Sequence, residues 1–471
     1  MRRVFALFLL GAAAAAASLG QTFATFTTMA SFNGSNGSDP LASLVQGLDG
    51  NFYGSTYVGG SNNGGTVFKI TPTGEPTSLY SFAVPYGSGP DDPLVQAPNG
   101  NFYGTTQGGG VGCYGFGCGT VFTITPEGGL TTLARFSDTN GRYPYGLVRA
   151  TNGDYYGVTA DGGLFSSSCR AGCGTLFMID ASGALTTLHA FDSADGASPS
   201  STLIQAYDGH AYGITALGGA GNYGTVFQLA TGGALTTLHS FTEADGEYPV
   251  YGLVEATDGN LYGTTVAGPG TACGGSGCGT VFRIAPAGDL TTLYFFDSTG
   301  GNLPNGTLVE GSDGNFYGTT VQGGASDACI LGCGTVFRIT PAGDLTTLFT
   351  FDLATGTSYG GLLQATDGSF YGTTASGGAW NDGTVFRLSA GLGPFVKTLP
   401  SAATVGATIH ILGTNLTAPA SVTFNGTPAA ITSLSPSQIV TTVPSGATSG
   451  KVEVTLPSGT LSSNARFEVL P

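Results

Sequence analysis

Between residues 26 and 390, apolar and threonine-rich runs of four to seven residues alternate with clusters of Gly, Pro, Asn and Asp. Residues 308 to 351 show one full unit. Leu308-Val309-Glu310-Gly311 is followed by Ser312-Asp313-Gly314, then by Asn315-Phe316-Tyr317-Gly318-Thr319-Thr320. A Gly-rich stretch leads to Gly334-Thr335-Val336-Phe337-Arg338-Ile339-Thr340, a Pro341-Ala342-Gly343-Asp344 turn, and Leu345-Thr346-Thr347-Leu348-Phe349-Thr350-Phe351. The runs are rich in Val, Ile, Thr, Tyr and Phe and carry no helical periodicity between them, which predicts short strands. Asp313-Gly314 and Pro341-Ala342-Gly343 are tight-turn chemistry. Each unit therefore reads as a four-stranded antiparallel meander, with strands A, B, C and D in chain order.

The Tyr-Gly-x-Thr of strand B recurs at Tyr53, Tyr103, Tyr156, Tyr212, Tyr262, Tyr317 and Tyr371, a spacing of 50 to 56 residues. Four-stranded units repeated seven times predict a seven-bladed β-propeller, whose blades bury both sheet faces and so need strands that are apolar or Thr-rich throughout. The first and last units supply a check. Phe26 to Phe32 is a D-type strand with no A, B or C before it, and Gly383 to Leu388 is a C-type strand with no D after it. Together they complete one blade and latch the ring, removing the free edges of a linear stack. A linear solenoid leaves this offset unexplained.

Composition narrows the function classes. The chain has 13 basic and 29 acidic residues, a net charge of −16, and only 9% charged residues in all. That balance argues against nucleic acid, which demands a basic stripe, and against anionic lipid surfaces. Eighty-one glycines without a Gly-X-Y period exclude collagen. Residues 1–20 read as a secretory leader: Arg2 and Arg3, an apolar run from Val4 to Ala17, then small residues. No later stretch approaches the length of a membrane span.

The eight cysteines fall in four pairs, always between strands B and C: Cys113 with Cys118, Cys169 with Cys173, Cys273 with Cys278, and Cys329 with Cys333. Even number, local pairing and export predict four short disulfides. Each would close a tight loop worth about 2 kcal/mol, so the bridges are expected to rigidify loops more than to hold the ring together. A metal reading fails, because a pair in each of four separate blades brings no third or fourth ligand close. Beyond Gly393 the repeats stop. Thr408 to Leu412, Ala420 to Phe424 and Lys451 to Thr455 alternate like half-buried strands, and Asn425-Gly426 is a hairpin turn, so residues 393–471 read as a small β-sandwich.

Two resemblances rest on these residues. Asp-Gly-Asn-Phe-Tyr-Gly-Thr-Thr, Gly-Thr-Val-Phe-x-Ile-Thr-Pro and Leu-Thr-Thr-Leu, recurring in order, make residues 22–390 similar to the GloVer tandem repeat of exported bacterial proteins. The resemblance implies extracellular placement and no established activity. Gly406, Gly413-Thr414-Asn415-Leu416, Val422, Phe424-Asn425-Gly426, Val443-Pro444, Gly446-Ala447-Thr448-Ser449-Gly450 and Phe467 make the C-terminal segment resemble the IPT/TIG immunoglobulin-like domain. Such domains in exported bacterial proteins serve as spacers or interaction modules. Their nucleic-acid-binding relatives use basic loops, whereas this segment has only Lys397, Lys451 and Arg466.

Propeller geometry sorts the loops. The short A–B and C–D turns share one face, and the longer, variable D–A and B–C loops share the other, where recognition is expected. Aromatics outside the repeat pattern concentrate there. The ligand-binding candidates are Trp380, Tyr223, Tyr114, Tyr57, Tyr251 and Tyr145, since rigid rings with a polar edge suit sugar stacking or protein anchoring. Asp49, Asp208, Asp258, Asp313 and Asp367, with Asn99 and Asn152 at equivalent places, are explained by turn geometry without any ion. Asp91, Asp92, Asp195, Glu243, Asp245 and Glu247 lie on the variable face, but their spacing singles out no pair for acid–base work. His189 and His239 hold equivalent, structural D-strand positions, and no nucleophile elbow or metal-binding His pair occurs.

The expectation is a secreted or cell-surface binding module, a monomer without cofactor, metal or catalytic activity. It would recognise extracellular polysaccharide or a surface protein through the B–C/D–A face. The rivals are a structural surface protein that assembles edge to edge, and a polysaccharide lyase or hydrolase.

Overall fold

A computed structural model describes residues 24–471 apart from 75, 84–85, 111, 271–272, 274–276 and 325–328. The expected leader lies outside the described residues. The chain is all-β, with seven four-stranded antiparallel propeller blades followed by a sandwich. Blade 1 runs A to D through Val45–Gln46, Phe52–Thr56, Thr66–Ile70 and Pro76–Ser81. Blades 2 to 6 repeat that order. Blade 7 takes Leu363–Gln364, Phe370–Thr374 and Thr384–Ser389 from the end of the repeats and Thr25–Ser31 from their start. The latch is antiparallel, with Thr25 opposite Ser389 and Ser31 opposite Thr384.

The motif residues explain themselves once the blades are packed. The strand-B tyrosine hydroxyl donates to the turn aspartate four residues earlier, as in Tyr53 to Asp49 at 2.8 Å and Tyr371 to Asp367 at 2.9 Å. The same aspartates accept backbone N–H groups two residues on, so they act as turn caps. The tyrosine rings then pack on the next blade: Tyr53 on Phe102, Tyr262 on Phe316, Tyr317 on Phe370, and, across the closure, Tyr371 on Phe52 at 4.2 Å. A second set of steeply inclined ring contacts joins every neighbouring pair of blades, each through the Phe that follows strand D and the strand-C Phe of the next blade. These run from Phe32–Phe68 to Phe351–Phe386, at 4.9 to 5.6 Å.

The threonines are equally specific. In every blade the last Thr of strand B and the first of strand C meet in the buried interior, Oγ1 to Oγ1 at 2.7–3.0 Å. Buried hydroxyls that satisfy each other avoid a desolvation cost of about 1–3 kcal/mol apiece. The glycine after the tyrosine is required by close approach. A Cβ on Gly213 would lie 2.5 Å from both Phe227 and Leu203. Gly213→Ala is therefore expected to lower stability by about 1–3 kcal/mol, measured by denaturant unfolding.

A further ring holds the blades together on the short-turn face. In six blades the last residue of strand A reaches across and accepts a backbone N–H of the preceding blade. Gln46 accepts from Thr366, Gln96 from Leu48, Gln205 from Thr151, Glu255 from Tyr207, Glu310 from Thr257 and Gln364 from Ser312, at 2.9–3.1 Å. The remaining position carries Arg149, and the residue it would face is Pro98, which has no N–H to give.

The four disulfides form as expected, Cys113–Cys118, Cys169–Cys173, Cys273–Cys278 and Cys329–Cys333, with Cα–Cα distances of 5.1–5.3 Å. One half of each bridge also reaches beyond its loop. The second cysteine of each pair, Cys118, Cys173, Cys278 and Cys333, is buried rather than carried on an exposed loop. Each belongs to the apolar cluster that holds the inter-blade phenylalanine pair: Cys118 with Phe136 and Phe177, Cys173 with Phe191 and Phe227, Cys278 with Phe296 and Phe337, and Cys333 with Phe351 and Phe386. The reason is position. Each lies two residues before the Thr that opens strand C, where the chain turns in toward the packed sheet. These sulfurs therefore add apolar contact between blades to the loop entropy they remove.

The sandwich packs Lys397–Leu399, Thr408–Leu412, Gln438–Thr442 and Ile431–Leu434 against Thr427–Ala429, Ser421–Phe424, Val452–Leu456 and Gly459–Ser462. Ile409, Ile411, Val422, Phe424, Ile439 and Val454 belong to its core. Asn425 and Gly426 turn the hairpin with φ of 44° and 84°, the positive values a two-residue turn needs.

Candidate functional site: the open mouth of the channel

The two faces of the ring end differently. On the short-turn face the sandwich docks against the propeller, and its three cations all reach the blades. Lys397 Nζ donates to the Gln364 carbonyl at the foot of strand A. Burial draws its ammonium down to a pKa of about 8. Lys451 lies close enough to Glu310 for their charges to interact, and Arg466 stands 5.9 Å from the Tyr207 ring. Thr414 bonds Thr366 at 2.9 Å and Ser437 donates to the Leu48 carbonyl at 3.3 Å. Of these, Lys397 bonds the propeller directly, while Arg466 pairs with Glu468 at 2.9 Å and Lys451 donates to the Asn464 carbonyl within the sandwich. Glu255, in the same region, is pushed up to about 7 by burial.

The opposite mouth is open. It forms a cavity of about 360 Å³ to which all seven blades contribute, five through residues just before strand A, such as Ala42, Asp91, Asp92, Ser201, Tyr251 and Tyr359, and blades 3 and 6 through Tyr145 and Thr307 within it. Short A strands place these positions at the channel rim, since each contributes only two ladder residues before the chain leaves the sheet. Blades 3 and 6 extend the strand outward instead, over Arg142–Arg149 and Asn302–Glu310.

Asp91 and Asp92 are the charged side chains of this lining. Asp91 accepts from Gln107 Nε2, and its buried carboxyl also hydrogen-bonds that of Asp92. Asp92 accepts from Thr105 Oγ1 at 3.4 Å and from the Gly146 backbone. Burial raises both carboxyls, Asp91 well above the ordinary range with the Asp92 charge adding to it, and Asp92 to about 7. Burial also raises Tyr145 strongly, with the two aspartates contributing, and it pushes Tyr251 up to about 12. Ser201 is 7% exposed and its hydroxyl has no partner.

The structure thus brings two of the six sequence-derived aromatics, Tyr145 and Tyr251, into one cavity. Tyr57 borders it, its phenol raised by burial and by the Asp91 charge. Tyr223 packs against the hydrophobic cluster of Ile214, Val226 and Phe241 between blades 4 and 5. Trp380 is 68% exposed on the rim, in the Gly377–Asn381 turn and outside the cavity lining. Tyr114 sits in the short 3-10 turn Cys113–Gly115. Tyr359 joins the lining. The variable-face acids, equivalent by spacing, are separated by tertiary structure. Asp195 and Asp245 are paired with His189 and His239 at 2.7 and 2.9 Å, Glu243 and Glu247 lie outside the cavity lining, and Asp91 and Asp92 line the mouth. One sequence signal points to them: Asp91-Asp92-Pro93 immediately precedes a strand A, where the other repeats carry neutral residues.

Comparison with known proteins agrees with this architecture. The model of the Gloeobacter/Verrucomicrobia repeat matches residues 18–206, 117–326 and 270–428, and that of the IPT/TIG domain matches 395–469. No curated protein matches the chain. Among solved structures, a fungal alcohol oxidase of the AA5 family in complex with copper is similar at a TM-score of 0.55 and 13% identity, covering 96% of this chain and 100% of that one. An extracellular domain of a hybrid two-component system from B. thetaiotaomicron gives 0.50 and 12%, covering 95% of this chain and 58% of that one. At these identities the likeness shows the fold alone.

Proposed function

Since the chain belongs to the Gloeobacter/Verrucomicrobia repeat family and carries an IPT/TIG domain, we propose that it is an extracellular binding module whose ligand enters the open channel mouth. The observation that carries this is the asymmetry of the ring. One end is covered by the sandwich, and the other presents a concave, seven-blade pocket with tyrosines, an acid pair and an unpartnered hydroxyl. Pockets with few convergent polar groups in a rigid apolar frame are where ligands bind. Four disulfides fit an oxidising, extracellular setting. Recognition rather than catalysis is the reading. The partner is an extracellular polysaccharide or a surface protein, held by a monomer.

The test is an array of polysaccharides and surface peptides probed with the oxidised protein, Tyr251→Ala and Trp380→Ala. A selective signal weakened about tenfold or more in Tyr251→Ala is expected, the loss typical of an anchoring aromatic. A signal kept in Tyr251→Ala and lost in Trp380→Ala would move the site to the rim.

A further inference from the structure

Beside the mouth the variable face carries an apolar patch. Ile330 and Leu331 on the blade 6 B–C loop, Leu353 and Tyr359 on the following D–A loop, and Trp380 on the blade 7 B–C loop are all exposed. Ile330, Leu331, Leu353 and Tyr359 line one shallow groove of about 430 Å³. Tyr359 lines the mouth as well, so groove and mouth form one continuous surface. Exposed aliphatic side chains clustered in this way mark interaction surfaces. They favour a protein over a polysaccharide, because Ile and Leu offer a hydroxyl-rich sugar neither a stacking face nor a hydrogen bond.

Inside the mouth the chemistry has a sign. Asp91 and Asp92 are adjacent carboxylates in a desolvated recess, and among the described residues no lysine or arginine pairs with either. Buried negative charge without a counter-ion is costly, and an arriving cation removes that cost. The carboxyl pair and the buried, unpartnered Ser201 hydroxyl supply acceptors, and tyrosine rings favour an organic cation through their π faces. We propose that the mouth receives a lysine or arginine side chain of a protein partner, while the apolar groove beside Tyr359 packs against the partner's surface. This rests on the mouth being the binding site.

Short peptides test it: acetyl-Gly-Leu-Lys-Leu-Gly-amide with its Arg and Gln counterparts, titrated calorimetrically into the full oxidised protein. Calcium chloride and glucosamine serve as competing probes. At pH 8 the Lys or Arg peptide is expected to bind about tenfold or more tightly than the Gln peptide, as a charge-assisted contact in a dry site provides. The preference should vanish in Asp91→Asn/Asp92→Asn. It should also fade toward pH 5, where the carboxyls gain protons. The groups facing the pair are Tyr57 and Tyr145, which stay neutral over that range. Leu353→Ser, outside the mouth, should weaken all three peptides together. Equal binding of Lys, Arg and Gln peptides, no binding of any at millimolar concentration, or displacement of the Lys peptide by calcium or glucosamine at lower concentration would each overturn the proposal. A glycan signal lost in Tyr251→Ala but indifferent to the Asn pair would sink the cation and leave the mouth. Ligand binding indifferent to both variants would sink both readings.

Discussion

Deleting residues 24–32 is expected to open the ring and replace one cooperative unfolding transition with several. The segment supplies strand D of blade 7, six paired positions against Thr384–Ser389. It also supplies Phe26, stacked 3.9 Å from Phe349 and 5.1 Å from Phe386, and Phe32, buried against Phe68 of blade 1. Losing a buried Phe costs about 3–5 kcal/mol, which is a large part of the typical stability of a domain, about 5–15 kcal/mol. Because each blade touches only its neighbours, the loss falls at the junction of blades 7 and 1 and frees them to melt separately. The bared edge of Thr384–Ser389 should then pair between molecules. Thermal melts with light scattering check this, with Phe32→Ala as the milder companion, expected to lose about 3–5 kcal/mol without oligomers. A truncated protein that melts in a single transition within a few degrees of the intact chain would show that the latch does not hold the ring.

The second large effect is a gain. Asp91→Asn/Asp92→Asn is expected to stabilise the protein at pH 8 by roughly 2 kcal/mol, because it removes ionised carboxyl from a desolvated recess. In the folded state both carboxyls are raised above their ordinary range, Asp92 to about 7. The unfolded chain gives up those protons at about pH 4, so the pair's contribution is fully present below that and is lost as pH rises toward 7. Wild-type stability at this pair therefore improves from pH 8 down to pH 5, and the Asn variant should show a flatter profile. Glu255, also pushed up to about 7, adds a slope of the same sign in both proteins, so the difference between profiles isolates the mouth. Identical profiles would mean that the carboxylates are solvated well enough to ionise freely. A stabilising substitution at the proposed binding pair is the trade expected where a site keeps an unfavourable charge for its ligand.

Much of the architecture is legible in the sequence because it is periodic. Seven copies of one strand pattern specify seven blades, and the orphan strand at Phe26–Phe32 with the missing one after Leu388 specifies how they close. The turn aspartates follow from local geometry, since Asp and Gly in a two-residue turn bond within a few residues. The disulfide pairing is legible for the same reason, the partners lying four or five positions apart. The burial of Cys118, Cys173, Cys278 and Cys333 is not, because the phenylalanines that cover them come partly from the next blade.

The mouth is legible only in part. Sequence favours Trp380 for its rarity, yet rarity says nothing of position, and the ring stands on the rim rather than in the cavity. The six-membered Gln/Glu ring is written in the sequence but needs the inter-blade register to be read, because each acceptor meets a donor about 50 residues away, or 320 across the closure.

Strands, turns, blade count, latch, bridges and the sandwich all follow from repetition and from chemistry between residues close in the chain, and these can be read without coordinates. Which acids lose their solvent, which tyrosines share a cavity and which end of the channel the sandwich covers are properties of the closed ring. Curvature brings the chain in or just before seven A strands to one mouth, and burial there without a histidine partner, absent from any linear pattern, is what distinguishes Asp91 and Asp92 from Asp195 and Asp245.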